Sequence, residues 1–304
     1  MTLCVAVTTA DGLVMGADSM TFVRDAALQK SYFNANKVFE LPGLPIVVMT
    51  YGLGALGRRS IGSLIEEWAD GRPDYGSDFT VNLVANDICE WVFKRHRAYR
   101  SEVERALEGL RAGRLAAQTP DAMETSTERP PEVPAYTDED WSTGLIVGGY
   151  EPGSFFPWIW TYEEPRSSAL VPDGLHCPRP HEGAPDGDEG PASGLDWWGD
   201  AEALRRLVGG FDPDLIRELG VDDASFQSTA NAFRWPVAYE GMPIQDAVDL
   251  AEFLLQVGCG YERFKAGDAF VGGEVDIAVV GRRGIHWKNR KPLTEAMSRR
   301  TQRQ

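Results

Sequence analysis

The chain has 304 residues, a formal net charge of −16 and a hydrophobic content of 43%. This length suffices for one substantial core, and one domain with insertions fits as well as two. The acidic balance argues against nucleic acid as a main partner, because phosphate contacts need a basic surface. No apolar run approaches the roughly 20 residues of a membrane span, and the amino terminus lacks a secretory signal. We therefore expect a cytoplasmic protein without membrane contact.

The first nineteen residues contain two short apolar runs on either side of Asp11-Gly12. An Asp-Gly pair between apolar segments is the strongest short-range signal for a β-hairpin. The pattern predicts a hairpin of residues 2–8 and 12–18. The chain therefore begins almost directly with a strand.

Thr2 follows the initiator methionine, and a methionine before such a small residue is commonly removed. Removal of Met1 would leave a threonine that carries both a hydroxyl and a free α-amine. The amine, with a pKa of ~7.7–8.0, can act as the general base for its own hydroxyl. Thr2 could equally be an ordinary second residue. Cys4 is another candidate nucleophile, but it would need cleavage after Leu3, for which nothing argues.

The remaining elements follow from apolar periodicity and turn residues. A second hairpin is predicted at 36–41 and 45–51, followed by helices at 53–69 and 79–112. Further strands are predicted at 145–150 and 155–162, helices at 200–209, 212–219 and 243–258, and a final hairpin at 275–280 and 284–287. This order of elements indicates an α+β protein.

Two stretches rich in Pro, Gly and acidic residues predict flexible insertions, at 113–140 and 164–196. The chain from about residue 288 to its end is basic and is predicted to be a solvated tail or an assembly contact. We interpret residues 1–304 as a single domain that carries these additions. The four cysteines lack metal-ligand spacing, and we expect no metal and no cofactor.

Five segments occur in an order that resembles the proteasome-type N-terminal nucleophile (Ntn) hydrolases, and most closely the bacterial proteasome-related peptidases. They are the Thr2 hairpin ending in Asp18-Ser19, the Lys37 strand, the glycine turn after residue 50, residues 140–150, and residues 267–276. The resemblance implies a four-layer αββα sandwich, in which two antiparallel sheets face each other and helices cover them outside.

The resemblance also implies roles for three residues at the start of the chain. Thr2 would be the nucleophile after loss of Met1, Asp18 the acidic residue at the end of the second strand, and Lys37 the lysine beside the threonine. An ammonium near Thr2 would lower the pKa of its hydroxyl and amine, and Asp18 would fix that ammonium in place.

Four further positions carry roles by the same resemblance. Ser142 would support the terminal amine, and Asp268 would be its acidic partner. The backbone N–H at Tyr51-Gly52 would stabilise the oxyanion, a contribution typically of ~3 kcal/mol.

The sequence departs from the family pattern in three respects. Val271 replaces a serine near the amine, Met20 replaces the arginine after Asp-Ser, and the stretch between Asp18 and Lys37 is longer than is typical. These departures bear on how efficient catalysis would be.

The sequence therefore predicts a threonine-type hydrolase that cleaves peptide or amide bonds through an acyl-enzyme on Thr2. By resemblance it would form homo-oligomers, and an ATPase partner is possible. One alternative is a non-peptidase amidohydrolase on the same fold. Another is a catalytically weak proteasome-like subunit with an assembly or binding role.

Overall fold

The computed structural model describes residues 2–25, 28–117, 136–165, 193–210 and 234–291, without the side chains of 22–29, 113–117 and 139. Several predicted features lie outside these residues. They are Met1, the helix at 212–219, most of both insertions and the tail after residue 291.

The described elements comprise thirteen strands and five helices. The first eight strands are β1 (Leu3–Thr9), β2 (Gly12–Ala17), β3 (Thr21–Asp25), β4 (Leu28–Tyr32), β5 (Val38–Glu40), β6 (Ile46–Gly52), β7 (Ala55–Leu56) and β8 (Arg59–Ser60). They are followed by α1 (Ile61–Gly71), α2 (Val81–Ala117), α3 (Asp138–Trp141), β9 (Thr143–Gly149), β10 (Trp158–Glu164), β11 (Gly194–Gly199), α4 (Glu202–Gly209), α5 (Ile244–Phe264), β12 (Asp276–Gly281) and β13 (Gly284–Asn289).

Two antiparallel sheets form the centre of the molecule. One has five strands in the order β11-β1-β2-β12-β13, and the other has four in the order β10-β9-β6-β5. The predicted first hairpin is confirmed as β1 and β2. Its turn is tightened by Thr9, whose Oγ1 accepts the Asp11 N–H (3.2 Å) and donates to the Gly12 carbonyl (3.3 Å).

Three apolar layers hold the sheets and helices together. Met15 of one sheet and Met49 of the other belong to the layer between the sheets. Leu255 of α5 packs on the outer face of the five-stranded sheet, and Ile88 of α2 packs on the outer face of the other. Each fully buried side chain of this size contributes roughly 1.5–3 kcal/mol. The predicted α+β class and four-layer αββα sandwich are therefore confirmed.

None of the described helices combines the length and the apolar character that crossing a membrane would require.

Several predicted boundaries are wrong. The helix predicted from residue 53 begins at Ile61, because the Ser60 side chain caps it by accepting the Ser63 N–H (3.0 Å). The preceding residues form the hairpin of β7 and β8 instead. The polar stretch before Lys37 contains the hairpin of β3 and β4.

The predicted insertions are also shorter at their edges. Helix α2 continues to Ala117, so residues 113–117 are helical. Strand β11 begins at Gly194, so residues 194–196 belong to the five-stranded sheet, where β11 pairs with β1. The strand was not predicted because the sequence before it is acidic and rich in proline, although Trp197 and Trp198 are typical strand residues.

The ordered chain extends slightly past residue 288, near which the solvated tail was predicted to begin. Lys288 and Asn289 end strand β13. Lys291 is only 7% exposed, and its ammonium pairs with the carboxylate of the equally buried Asp276. The Lys291 backbone N–H also donates to Asp276 Oδ1 (3.2 Å). The chain is thus held to β12 until at least residue 291.

Removal of one partner from this buried pair should be strongly destabilising. Lys291→Met leaves the Asp276 carboxylate buried without its cation, which typically costs about 3–5 kcal/mol. The double variant Lys291→Met/Asp276→Leu removes both charges and should lose much less stability. Urea unfolding of the three proteins measures the free energies. Equal stability of wild type and Lys291→Met would contradict the described pair.

Asp196 is a second buried carboxylate, on edge strand β11. It is 5% exposed and lies opposite Ala6 of β1, on the face turned toward the other sheet. Burial raises the pKa of Asp196 to about 7. Folding therefore favours the protonated form of this side chain.

The raised pKa gives a pH dependence of stability with a defined sign. Between about pH 4 and 7 the unfolded chain releases the Asp196 proton while the folded protein keeps it, so stability decreases as pH rises. Asp196→Asn should therefore stabilise the protein at pH 8 relative to wild type, and by less at pH 4.5. Urea unfolding at both pH values tests this. A variant that loses equal stability at both would show that Asp196 does not titrate in this range.

Candidate active site

The Asp18 carboxylate joins four parts of the chain at the end of β2. It is fully buried. Its Oδ1 accepts the Leu3 N–H (3.0 Å) and the Lys37 ammonium (2.7 Å). Its Oδ2 accepts the N–H groups of Met20 (3.1 Å) and Gly272 (2.9 Å). The two oxygens of this carboxylate therefore hold four segments of the chain in place.

Lys37 is held on the opposite sheet. It precedes β5, and its carbonyl accepts the Thr50 N–H of the adjacent strand β6 (3.0 Å). Its side chain is 6% exposed and reaches Asp18, which directly follows β2 of the five-stranded sheet. The ion pair therefore connects the two sheets, and it places an ammonium beside the amide that directly follows Thr2.

Thr2 lies at the beginning of β1 and is 2% exposed. Its carbonyl accepts the Asp200 N–H (2.8 Å) just after β11. Gly199 makes this approach possible, because it has a φ of +82° and a Cβ there would overlap the Thr2 carbonyl. With the Leu3 amide bound to Asp18, Thr2 is fixed on its carboxyl side by both neighbouring strands.

The predicted oxyanion turn follows β6. Gly52 has a φ of +83°, and a Cβ at this position would overlap the Ser142 carbonyl oxygen. The same oxygen accepts the Leu53 N–H (2.7 Å). The turn after Tyr51 is therefore packed directly against the residue that precedes β9, and only glycine fits there.

Ser142 has an acidic neighbour that the sequence did not identify. Its Oγ donates to Glu163 Oε1 of β10 (2.7 Å), whereas the predicted acid, Asp268, is exposed on the loop after α5. Tyr51 lies at the same end of the sheet, and its ring covers Gly144 of β9. It thus forms a wall beside the predicted oxyanion turn.

The two substituted positions, Met20 and Val271, are both buried. Met20 is 3% exposed, and its backbone N–H binds Asp18. Val271 is 2% exposed and packs with Leu3 and the helices on the outer face of the five-stranded sheet. Both residues therefore contribute apolar packing directly beside the carboxylate network.

The described cysteines have the wrong environment for a nucleophile. Cys4 is fully buried between the sheets, with Sγ 3.5 Å from the Thr50 carbonyl oxygen. Burial raises the pKa of the Cys4 thiol far above its usual range. Burial also raises the pKa of Cys259 to about 12. Both thiols stay protonated near neutral pH, and only a thiolate is an effective nucleophile.

Within the described residues, Asp200, Glu202 and Glu262 form the one carboxylate group close enough to share a metal ion. The Lys265 ammonium already contacts Glu202 (2.7 Å) and Glu262 (3.3 Å). A cation is thus supplied by the chain itself, and this group carries no metal assignment.

Some contacts at the site were missed because they connect residues distant in sequence. Three such contacts join a predicted residue, or its neighbour, to a different strand or loop. They are made by the Gly272 N–H, Glu163 and Asp200. Spacing along one sequence contains no signal for such pairs. The tryptophans of β11 are the one local feature that could have revealed the strand beside Thr2.

No protein-family model matches the sequence, and no curated protein matches it significantly.

Solved structures of similar shape include Anbu proteins. Anbu (ancestral beta-subunit) from Yersinia bercovieri is 13% identical, with a TM-score of 0.45 over 98% of this chain and 92% of that chain. The Anbu complex from Pseudomonas aeruginosa, described as a helical assembly, is 14% identical, with a TM-score of 0.47 over 99% and 92%. Anbu from Hyphomicrobium sp. strain MC1 is 14% identical, with a TM-score of 0.46 over 99% and 95%.

These matches correct the predicted resemblance to the bacterial proteasome-related peptidases, which is wrong. The similar structures belong to Anbu, a family with a proteasome-like fold that is distinct from those peptidases. At TM-scores below 0.5 they carry no argument about activity.

Proposed function

We propose that this protein is an N-terminal threonine hydrolase, which cleaves an amide bond through an acyl-enzyme on Thr2. The observation that carries the proposal is the buried Lys37–Asp18 pair (2.7 Å), bound to the amide next to Thr2. An ammonium beside a hydroxyl favours loss of the hydroxyl proton, because the positive charge stabilises the oxygen anion. Such an arrangement activates a threonine that carries its own amine as base.

The acylation step needs the α-amine of Thr2 to be free and neutral. The amine accepts the Thr2 hydroxyl proton as Oγ forms a bond to the carbonyl carbon of the substrate. The protonated amine then gives this proton to the leaving nitrogen as the C–N bond breaks. The products are an ester on Thr2 and a free amine, and the α-amine is neutral again.

Water completes the cycle by the same path. The α-amine takes a proton from water, whose oxygen attacks the ester carbonyl, and returns it to Thr2 Oγ as the ester bond breaks. In both steps a backbone N–H of the Gly52 turn donates to the oxyanion. The fixed position of this turn against Ser142 is the observation that supports this role. Tyr51 restricts the space next to that donor.

Assembly of several copies of the chain is a further part of the proposal. Tyr32 and Phe33, which follow one another at the end of β4, are each 52% exposed. Neighbouring exposed aromatics of this kind support a contact surface. No described residue suggests an ATPase partner, and the sequence does not identify one.

The mechanism requires the loss of Met1, and intact-mass spectrometry tests this directly. The purified protein, expressed without an amino-terminal tag, should be lighter than the encoded chain by one methionine residue. The variant Thr2→Leu serves as a control, because a large second residue should prevent the removal. Complete retention of Met1 in the wild type would exclude the terminal amine as base in this form of the protein.

The nucleophile is tested by matched threonine variants on a panel of fluorogenic peptide amides. Thr2→Ala should reduce turnover by about a thousandfold or more, because no other group supplies the attacking oxygen. Thr2→Ser keeps a hydroxyl and should retain part of the activity. Thr8→Ala removes a hydroxyl from the same buried strand and should leave turnover near the wild-type level. Full activity in Thr2→Ala would refute the assignment.

A further inference from the structure

His96 of α2 is buried behind the predicted oxyanion turn, and no part of the mechanism above uses it. It is 1% exposed. Its Nε2 lies 2.7 Å from the carbonyl oxygen of Trp141. A carbonyl can only accept, so Nε2 carries the proton and donates. Nδ1 is also buried and has no partner among the described residues.

The bond from His96 leads in two steps to the turn. Trp141 is the last residue of α3 and directly precedes Ser142. The Ser142 carbonyl accepts the Leu53 N–H (2.7 Å) and lies against Gly52. A shift of the Trp141 peptide would therefore move the adjacent Ser142 carbonyl. Because this carbonyl contacts the Gly52 turn, the turn would move with it.

The contacts around Trp141 hold the end of α3 against α2. The indole packs edge-on against His96 (6.2 Å between ring centroids) and Tyr99 (6.0 Å). Both contacts come from the same face of α2. The end of α3 is thus attached to α2 through the His96 hydrogen bond, these ring contacts and the ion pair of Arg100 with Asp138 (2.8 Å).

We infer that His96 is a positioning residue, which holds the 141–143 segment so that the Gly52 turn presents its backbone N–H to the substrate. This inference rests on the proposed function for its effect on turnover. The structural part, that His96 determines the order of the Leu53 amide, can be measured without any substrate.

The surroundings of His96 determine its charge state near neutral pH. Burial lowers its pKa, and Arg100 and Arg97 of α2 act in the same direction, while the Trp141 carbonyl and Glu164 of β10 oppose this. Glu164 is itself paired with Arg97 (3.0 Å), and Arg100 with Asp138 (2.8 Å). His96 is therefore neutral at pH 7. Below the pH of about 6.5 at which the unfolded chain binds this proton, stability decreases as pH falls.

Three variants of the full chain separate positioning from packing. His96→Leu removes the donor, His96→Gln keeps an N–H donor, and Cys89→Ala removes buried volume elsewhere on α2. Hydrogen exchange of the Leu53 amide should become roughly tenfold faster in His96→Leu. It should stay near the wild-type rate in the other two. The Leu41 amide, bound to the Ile46 carbonyl, is the internal reference.

Two further measurements complete the test. On a fluorogenic peptide amide, His96→Leu should lower kcat by roughly tenfold with little change in KM, and His96→Gln should restore it. In the wild type, the NMR signals of the His96 ring should show the neutral tautomer with its proton on Nε2, since that nitrogen donates to the Trp141 carbonyl.

The outcomes distinguish this inference from the proposed function. Unchanged Leu53 exchange in a folded His96→Leu protein overturns the inference, whatever the activity. If that variant does not fold, the ring signals of the wild type decide: a neutral His96 that carries its proton on Nδ1 cannot donate to Trp141, and this result overturns the inference. Turnover that survives Thr2→Ala refutes the proposed function, while the exchange data still decide the role of His96.

Discussion

The ion pair between Lys37 and Asp18 is the constraint on which the arrangement of the site depends. One carboxylate satisfies three backbone N–H groups from β1, from the residue after Ser19 and from the loop that precedes β12, together with one ammonium from the opposite sheet. Each of these donors would be costly to bury alone. Since every donor needs the same two oxygen atoms, the four segments have one common geometry.

The sandwich explains why this pair lies where it does. Strand β2 is central in its sheet, between β1 and β12, so its end is next to both the amino terminus and the loop before β12. Lys37 reaches this point from the facing four-stranded sheet, where it precedes β5. A second link between the sheets, from Trp287 Nε1 to Glu40 Oε2 (3.0 Å), fixes β13 to β5. The two sheets are therefore joined by polar contacts as well as by their apolar layer.

Local patterns in the sequence predicted the hairpins around Asp11-Gly12 and before Tyr51, because turn residues and alternation act over a few positions. They could not predict the start of α1, where the Ser60 cap prevails over an apolar stripe, or β11, whose partner lies almost 200 residues earlier in the chain. Asp18 and Lys37 were correctly expected to meet. Glu163 and His96 were not expected, since each acts on residues of a different element.

The way β1 is attached has a practical consequence for work with recombinant protein. Its first two bonds use the Thr2 carbonyl and the Leu3 amide, and neither involves the residue before Thr2. An amino-terminal affinity tag would leave these bonds in place, so the fusion would fold and purify normally. It would, however, convert the Thr2 amine into an amide, which is not a base. Under the mechanism proposed above, the tagged protein would be folded but inactive, and a carboxyl-terminal tag avoids this.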